Sequence, residues 1–297
     1  MQVFQINSLT QVPLRDQVTE ITTSISSSTP PSSIVIMIHG YQFDHRQSAH
    51  CPHATMFNPN PVTWDFRTRS WPDELKAHDT QSVAIGFSWP SRGKLKYAYD
   101  TAAQAGVALA ELIKQLRTAY PDVAIQLMSH SLGARVALCA FPLLQAGDLT
   151  RALFLFPSEY KQAAEQALKT DLGKSAEILC VASTENYIFE QLFYWKQLAG
   201  AQAGPPFGRY QPDQSNVVTL WINRPDVIAD LNARGIDIGR REKRICHWSA
   251  YTRRGIFNLY GRWLFAPQSL PIHIVRRIAI SDTGSTGAPD WGVQSPA

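Results

Sequence analysis

The chain has 297 residues, of which 44% are hydrophobic and 18% charged, with a formal net charge of +4. These values are typical of a globular protein and exclude a disordered or fibrous one. No run of Lys and Arg is long enough to indicate nucleic-acid binding, and no apolar run is long enough to span a membrane. The first residues lack the features of a signal peptide, and the four cysteines are scattered. We therefore expect a cytoplasmic protein with no nucleic-acid partner and no membrane span.

Short apolar runs alternate with helical patterns along most of the chain, which predicts an α/β fold. The expected architecture is a doubly wound, mostly parallel central sheet with helices on both faces. We expect one domain over residues 1–280 and a flexible tail over residues 281–297, which are rich in Gly, Ser, Thr and Pro. The predicted strands are residues 3–6, 34–38, 83–87, 124–128, 151–156, 177–183 and 217–221.

Helical patterns fill several of the intervals between these strands. The clearest covers residues 101–120, and a further helix is predicted to begin at Ser70. Irregular segments are expected at residues 24–33 and 42–70, and over more than twenty residues after the strand at 217–221. Residues 271–275 alternate like an edge strand. The remaining predicted helices are residues 134–140, 161–168, 188–198 and a late helix with Ile256, Leu259, Tyr260 and Trp263 on one face.

The chain is organised around residues 124–140, where a predicted strand meets a predicted helix. The turn between them reads Ser129-His130-Ser131-Leu132-Gly133. A small-x-Ser-x-Gly turn between strand and helix is typical of a nucleophile elbow, in which the central Ser projects over the end of the sheet. The elbow has Ser129 where Gly is usual, so it carries one extra β-carbon. The alternative interpretation is an ordinary turn with an exposed Ser.

A second turn follows the buried strand at residues 34–38 and begins with His39-Gly40. Gly allows the backbone to approach a ligand closely. The N–H of Tyr41 and the N–H of Leu132, the residue after the Ser, are therefore candidate donors to an oxyanion.

A hydroxyl nucleophile needs an imidazole base, and the base needs a group that orients it. His247 follows the last predicted central strand, whereas His273 lies in the predicted edge strand and is a poorer base. Glu185 follows the strand at 177–183, which makes the order Ser131, Glu185, His247. Glu185 is alternatively an acid that stabilises a helix amino terminus, and His247 is alternatively a packed core residue.

The identity of the orienting group stays open at this point. Asn186 is adjacent to Glu185 and would orient an imidazole while stabilising its cation less. Glu159 and Asp226 are the other carboxylates that follow predicted strands.

With these motifs, residues from the strand at Ile34 to the helix after His247 resemble the α/β-hydrolase fold superfamily of serine esterases and lipases. The stretch Gly86-Phe-Ser-Trp-Pro90 and the residues Ser131-Leu-Gly-Ala-Arg-Val136 are similar to a bacterial branch of uncharacterised hydrolases. The resemblance implies that Ser131 is the nucleophile, His247 the base, and the N–H groups of Tyr41 and Leu132 the oxyanion hole.

The predicted function is a serine hydrolase that cleaves a carboxylic ester, or a thioester or amide, through an acyl-enzyme on Ser131. No cofactor is expected. His45, His50, Cys51 and His53 match no zinc pattern, so no metal site is predicted. The alternatives are a fold relative that binds a ligand without turnover, and acyl transfer to an alcohol other than water. Aromatic residues near the strand ends suggest a small-molecule ester with an apolar group: Tyr41, Phe43, Trp89, Tyr187 and Trp248.

Overall fold

A computed structural model describes residues 1–26, 30–60, 69–197 and 204–280. Its seven strands form one sheet in the order β1-β3-β2-β4-β5-β6-β7, and every neighbouring pair is parallel. The prediction of a doubly wound, mostly parallel sheet is confirmed. The strands are β1 (Gln2–Asn7), β2 (Ser33–Ile38), β3 (Val83–Ser88), β4 (Ala124–His130), β5 (Arg151–Leu155), β6 (Glu177–Ala182) and β7 (Val217–Trp221).

Eleven α-helices lie within the described residues, and none of them is long and apolar enough to cross a membrane. The predicted tail at 281–297 lies outside the described residues. The helices are α1 (Leu14–Ser26), α2 (Trp71–Lys76), α3 (Leu95–Ala119), α4 (Gly133–Ala140), α5 (Lys161–Leu168), α6 (Asp171–Ser175), α7 (Tyr187–Gln197), α8 (Pro225–Ala233), α9 (Ser249–Thr252), α10 (Ile256–Phe265) and α11 (Ile272–Ile280).

Two local predictions near the carboxyl end are wrong. The segment predicted as a loop after β7 contains α8, which begins at Pro225 because proline suits the first turn of a helix. The segment predicted as an edge strand is α11. Its alternation over the first residues is misleading, because the buried residues are Val275, Ile278 and Ala279, which repeat at helical spacing.

The strands β2 to β7 are buried on both faces, whereas β1 at the edge of the sheet is only partly buried, and each face of the sheet carries its own core. On β2, Ile36 belongs to the core that α3 and α4 cover, whereas the next residue, Met37, belongs to the core under α10 and α11. Successive side chains of a strand point to opposite faces, so a continuous apolar run serves two layers of helices.

Helices α3 and α4 pack closely, and this packing fixes the element that follows the Ser131 turn. A β-carbon at Gly106 of α3 would lie 2.6 Å from Cβ of Cys139 and 2.8 Å from the carbonyl oxygen of Val136 on α4. Arg135 at the start of α4 also donates from Nε to the carbonyl oxygen of Tyr99 on α3, at 2.8 Å. The amino-terminal end of α4 is therefore held against α3, the longest of the described helices.

Because the sheet is parallel, the carboxyl ends of all seven strands lie at one edge. Ligands bind beyond this edge in open α/β sheets. The turns after β2, β4, β5 and β6 and the segment before α9 contribute the polar residues described next.

Candidate active site

Ser131 occupies a strained turn between β4 and α4. Its backbone φ is 53°, in the left-handed region that a residue with a β-carbon rarely adopts. The turn is held by two backbone hydrogen bonds, from Ser131 N to Leu155 O at 2.9 Å and from Ser158 N to Ser131 O at 3.0 Å. Strain of this kind persists where the surrounding structure enforces it. The turn after β5 thus clamps the turn that carries Ser131.

The turns after β2 and β4 interlock through two glycines. A β-carbon at Gly40 would lie 2.9 Å from Cβ of Ser131, and one at Gly133 would lie 2.6 Å from the carbonyl oxygen of His39. Real β-carbons do not approach other atoms this closely, so each glycine is required by its neighbour. The two motifs singled out in the sequence therefore meet in space.

Ser131 and His247 are hydrogen-bonded, as the predicted pairing of nucleophile and base requires. Oγ of Ser131 lies 2.9 Å from Nε2 of His247. On the other side of the ring, Nδ1 of His247 lies 2.6 Å from Oδ1 of Asn186. The group that orients the imidazole is therefore an amide oxygen, and the chain of contacts runs Ser131, His247, Asn186.

The carboxylate of Glu185 does not reach His247, in contrast to its expected place. Glu185 forms a buried ion pair with Arg253 and accepts hydrogen bonds from the hydroxyls of Ser183 at 2.9 Å and Ser249 at 3.1 Å. Its carbonyl oxygen also accepts from Cys246 N at 2.9 Å. Glu185 thus ties the turn after β6 to the segment that carries His247.

The other two candidate carboxylates are also engaged elsewhere. Glu159 pairs with Arg135 at 2.6 Å and accepts from the hydroxyl of Tyr99 at 2.8 Å. Asp226 pairs with Arg224 at the start of α8. Neither contacts His247, which leaves Asn186 as the partner of Nδ1.

The amide of Asn186 is itself held by a buried ion pair. Nδ2 of Asn186 donates to Oε1 of Glu190 at 2.9 Å, and Oε2 of Glu190 accepts from Nε of Arg209 at 2.6 Å. Asn186 is fully buried, and Glu190 is 5% exposed. Asn186 immediately precedes α7 and Glu190 lies in its first turn, so the spacing of four residues brings the two side chains together.

His247 lies among aromatic rings. The ring of Phe189 stacks against it with centroids 4.8 Å apart, and the ring of His130 lies 4.6 Å away. Nε2 of His130 is 3.0 Å from the carbonyl oxygen of His247. Burial, and next the proximity of His130, hold the pKa of His247 well below its ordinary value of 6.5. His247 is therefore neutral at pH 7, as a general base must be.

A second hydroxyl contacts the side chain of Ser131. Oγ of Ser158, in the turn after β5, lies 3.1 Å from Oγ of Ser131. With the Asn186 oxygen facing Nδ1, that nitrogen carries the proton, so Nε2 accepts from the hydroxyl of Ser131. Ser131 Oγ is then free to accept from Ser158, which completes a directed chain of hydrogen bonds.

The candidate oxyanion donors lie beside Ser131. Leu132 is the N-cap of α4, and Tyr41 follows Gly40, the glycine that contacts Cβ of Ser131. Neither backbone N–H bonds to another of the described residues. The hydroxyl of Tyr41 donates to the carbonyl oxygen of Gly93, which anchors this turn.

The histidines of the loop after β2 contact polar partners one at a time. Among the described residues, no group of three or more His, Cys, Asp or Glu side chains is arranged to hold a metal ion. Nδ1 of His45 contacts Oγ of Ser88 at 3.3 Å, and Nε2 of His53 contacts Oδ1 of Asn7 at 2.9 Å. These histidines are used individually to pack the loop on the strand ends.

The predicted aromatic lining is only partly at the site. Trp89 is fully buried and stacks on His39 with ring centroids 5.6 Å apart, so it joins the ends of β2 and β3. The ring of Tyr187 lies beneath Arg209, whose Cζ is 4.3 Å from its centroid. Trp248 lies 5.9 Å from Phe189 by ring centroids, near His247. Phe189 was not singled out in the sequence, although it lies four residues after Glu185.

Sequence reasoning also missed Ser158 and Glu190. Ser158 follows β5 at the carboxyl end of a strand, and this position could have marked it as a candidate site residue. Glu190 could have been noticed as the acid four residues after Asn186 in a predicted helix.

The chain matches a family model over residues 15–153, described as alpha/beta hydrolase of unknown function (DUF900). It is 47% identical over 53 residues to an uncharacterized protein of Nostoc sp., alr1448; the match covers 17% of this chain and 14% of that relative's length. An acetylxylan esterase structure is similar with 13% identity, a TM-score of 0.40, and coverage of 80% of this chain and 97% of that one. The structure of a cutinase-like protein from Cryptococcus sp. is similar with 12% identity and a TM-score of 0.39. The match covers 80% of this chain and 94% of that one. The parallel sheet with its serine turn after β4, together with the family match, establishes that the protein has the α/β-hydrolase fold.

Proposed function

We propose that the protein is a serine hydrolase that cleaves a carboxylic ester through an acyl-enzyme on Ser131. The observation that carries this proposal is the hydrogen-bonded series Ser131 Oγ, His247 Nε2 and His247 Nδ1, Asn186 Oδ1, with distances of 2.9 Å and 2.6 Å. An imidazole aligned in this way can remove the proton from an otherwise weak nucleophile. The esterase and cutinase relatives named above make an ester the first substrate class to test.

In the proposed reaction, Ser131 Oγ attacks the carbonyl carbon while His247 Nε2 takes the hydroxyl proton. The N–H groups of Tyr41 and Leu132 donate to the resulting oxyanion. When the intermediate collapses, the bond to the alcohol breaks and His247 gives its proton to the leaving oxygen. Water then attacks the acyl-enzyme with His247 as base, which releases the carboxylic acid and restores Ser131.

Asn186 replaces the usual carboxylate in this scheme. It orients His247 but offers the imidazolium a dipole rather than a full charge, so we expect slower turnover than a carboxylate would allow. The same feature supports the alternative of a fold relative that binds a ligand without turnover. A thioester or amide substrate, or acyl transfer to another alcohol, would use the same residues.

Labelling with a fluorophosphonate tests the proposal, because an activated serine displaces fluoride from phosphorus and becomes covalently modified. We expect label on the wild type at Ser131, identified by peptide mass spectrometry, and none on Ser131→Ala. Ser269→Ala is the matched control, since the exposed hydroxyl of Ser269 donates to the carbonyl oxygen of Ala266 and its loss should leave the label at Ser131. A folded wild type that takes no label would contradict the hydrolase and favour the binding protein.

A labelled enzyme would then be assayed with p-nitrophenyl esters of graded acyl length. Product analysis with added alcohols would separate hydrolysis from acyl transfer.

A further inference from the structure

We propose that Glu190 is a positioning residue for this active site, because its carboxylate determines which atom of the Asn186 amide faces His247. The inference rests on the proposed function for its catalytic consequence. The geometry on which it depends is independent of turnover.

An amide in the third position of the triad has a problem that a carboxylate does not. A carboxylate presents an oxygen whichever way it turns, whereas Asn186 can present either Oδ1 or its NH2 group to His247. With Oδ1 facing the ring, Nδ1 carries the proton and Nε2 accepts from Ser131. With the NH2 group facing the ring, Nδ1 becomes the acceptor, Nε2 carries the proton, and the base is blocked.

Glu190 removes this ambiguity. Oε1 of Glu190 lies 2.9 Å from Nδ2 of Asn186, and an ionised carboxylate only accepts hydrogen bonds. The side of the amide that faces Glu190 must therefore be the NH2 group, which turns Oδ1 toward His247.

Arg209 holds Glu190 in the ionised form. Its Nε donates to Oε2 of Glu190 at 2.6 Å, so each carboxylate oxygen has its own donor. Burial raises the pKa of Glu190, and the ion pair with Arg209 offsets part of that rise. Other ionisable groups that face this series are His130, beside the His247 ring, Tyr187, whose ring lies beneath Arg209, and the separate Glu185–Arg253 pair.

The isosteric substitution Glu190→Gln should reverse the orientation of the Asn186 amide. Arg209 donates, so it should select the oxygen of the new amide and leave the NH2 group of position 190 facing Asn186. Asn186 must then present Oδ1 to position 190 and its NH2 group to His247. We expect the neutral tautomer of His247 to change from Nδ1–H to Nε2–H, and fluorophosphonate labelling to slow by on the order of 10²- to 10⁴-fold, the range for a wrong tautomer.

A second substitution should restore the site. In Asn186→Asp combined with Glu190→Gln, a carboxylate at 186 accepts from both the NH2 group at 190 and Nδ1–H of His247. We expect the Nδ1–H tautomer and labelling within about tenfold of wild type. Asn186→Asp alone should label more slowly than the wild type. It would place a carboxylate at position 186 against that of Glu190, across a contact that is 2.9 Å long in the wild type.

The tautomer is read by ¹⁵N NMR of histidine-labelled protein, with the His247 signals assigned by their loss in His247→Gln. Glu177→Gln is the control, since Glu177 pairs with Arg151 rather than with Asn186. An unchanged Nδ1–H tautomer with wild-type labelling in Glu190→Gln would overturn the proposal. If Glu190→Gln does not fold, a folded double variant with the Nε2–H tautomer would overturn it instead. If the wild type takes no label but the tautomer of His247 still changes in Glu190→Gln, the role of Glu190 is supported while the hydrolase proposal fails.

Discussion

Oδ1 of Asn186 lies 2.6 Å from Nδ1 of His247, while the carboxylate of the preceding residue, Glu185, is paired with Arg253. Adjacent residues in one turn thus have separate tasks. Asn186 orients the proposed base, and Glu185 fastens the turn to the segment that carries that base. The two tasks predict different consequences for substitution.

Replacing the amide that orients His247 should impair the proposed nucleophile without unfolding the protein. In Asn186→Ala nothing fixes the tautomer of His247, so we expect fluorophosphonate labelling to slow by on the order of 10²- to 10⁴-fold. The measurement is the second-order labelling rate. Asn258→Ala is the matched control, because the side-chain amide of Asn258 donates to the carbonyl oxygen of Asp237 rather than contacting His247. A near wild-type labelling rate in Asn186→Ala would exclude Asn186 from the proposed triad.

Removing the charge of Glu185 should mainly affect stability. Glu185→Gln leaves Arg253 buried without its partner, which costs about 3–5 kcal/mol. Chemical denaturation measures the loss, and the protein that remains folded should still take label at Ser131. Unchanged stability together with a complete loss of label would instead indicate that Glu185 acts on His247.

The contact between Gly40 and Ser131 should not tolerate a methyl group. In Gly40→Ala the new β-carbon would start 2.9 Å from Cβ of Ser131 and 3.0 Å from the carbonyl oxygen of His130. We expect a loss of about 1–3 kcal/mol of stability from overpacking, and slower labelling because Ser131 must move. Gly147→Ala is the control: Gly147 has a φ of +89° but open space around it. It should lose some stability and keep the labelling rate. Wild-type labelling in Gly40→Ala would contradict the observed contact.

The labelling rate should persist below the pH at which an ordinary histidine loses its basicity. In the proposed mechanism the neutral form of His247 is the reactive one, and its pKa lies well below 6.5 because the ring is buried beside His130. A lower pKa extends the neutral form toward acid, so we expect the acid midpoint of the labelling profile below pH 6.5. A midpoint at or above that value, in protein that circular dichroism shows to be folded, would count against this environment for His247.

Several buried histidines should make the protein less stable in mild acid. Burial lowers the pKa of His39 to about 3 and the pKa values of His53 and His130 to about 4, from an ordinary 6.5. Between pH 6.5 and these lowered pKa values, the histidines are protonated in the unfolded chain but neutral in the native one. The free energy of unfolding therefore falls as the pH falls. At pH 5 each such histidine costs roughly 2 kcal/mol relative to neutral pH.

Urea denaturation at pH 7 and pH 5 measures this effect. His53→Asn should lower the number of protons taken up on unfolding by about one, because it removes one buried imidazole. The contacts of Ser131 do not involve His53. Equal stability at pH 7 and pH 5 would show that these histidines bind protons at pH 5 in the native protein as they do in the unfolded chain.

The amino-acid pattern was sufficient to predict the architecture and the pair of residues at its centre. Apolar runs near five residues, separated by helical periodicity, indicate buried parallel strands, because a strand covered on both faces needs no polar side. Ser131 and His247 could be picked out because each follows a predicted strand, and parallel strands end at one edge. The misread segments, α8 and α11, have helical spacing that only the completed burial pattern makes clear.

Which group orients His247 was decided by the tertiary structure. Glu185 and Asn186 are neighbours in a single turn, and their side chains point to different partners. Arg253 lies 68 residues beyond Glu185 in the chain and draws its carboxylate away from the ring. Glu190 and Arg209 fix the amide of Asn186. A charge is strongly favoured beside its buried partner, and the sequence order of the residues carries no record of where that partner lies.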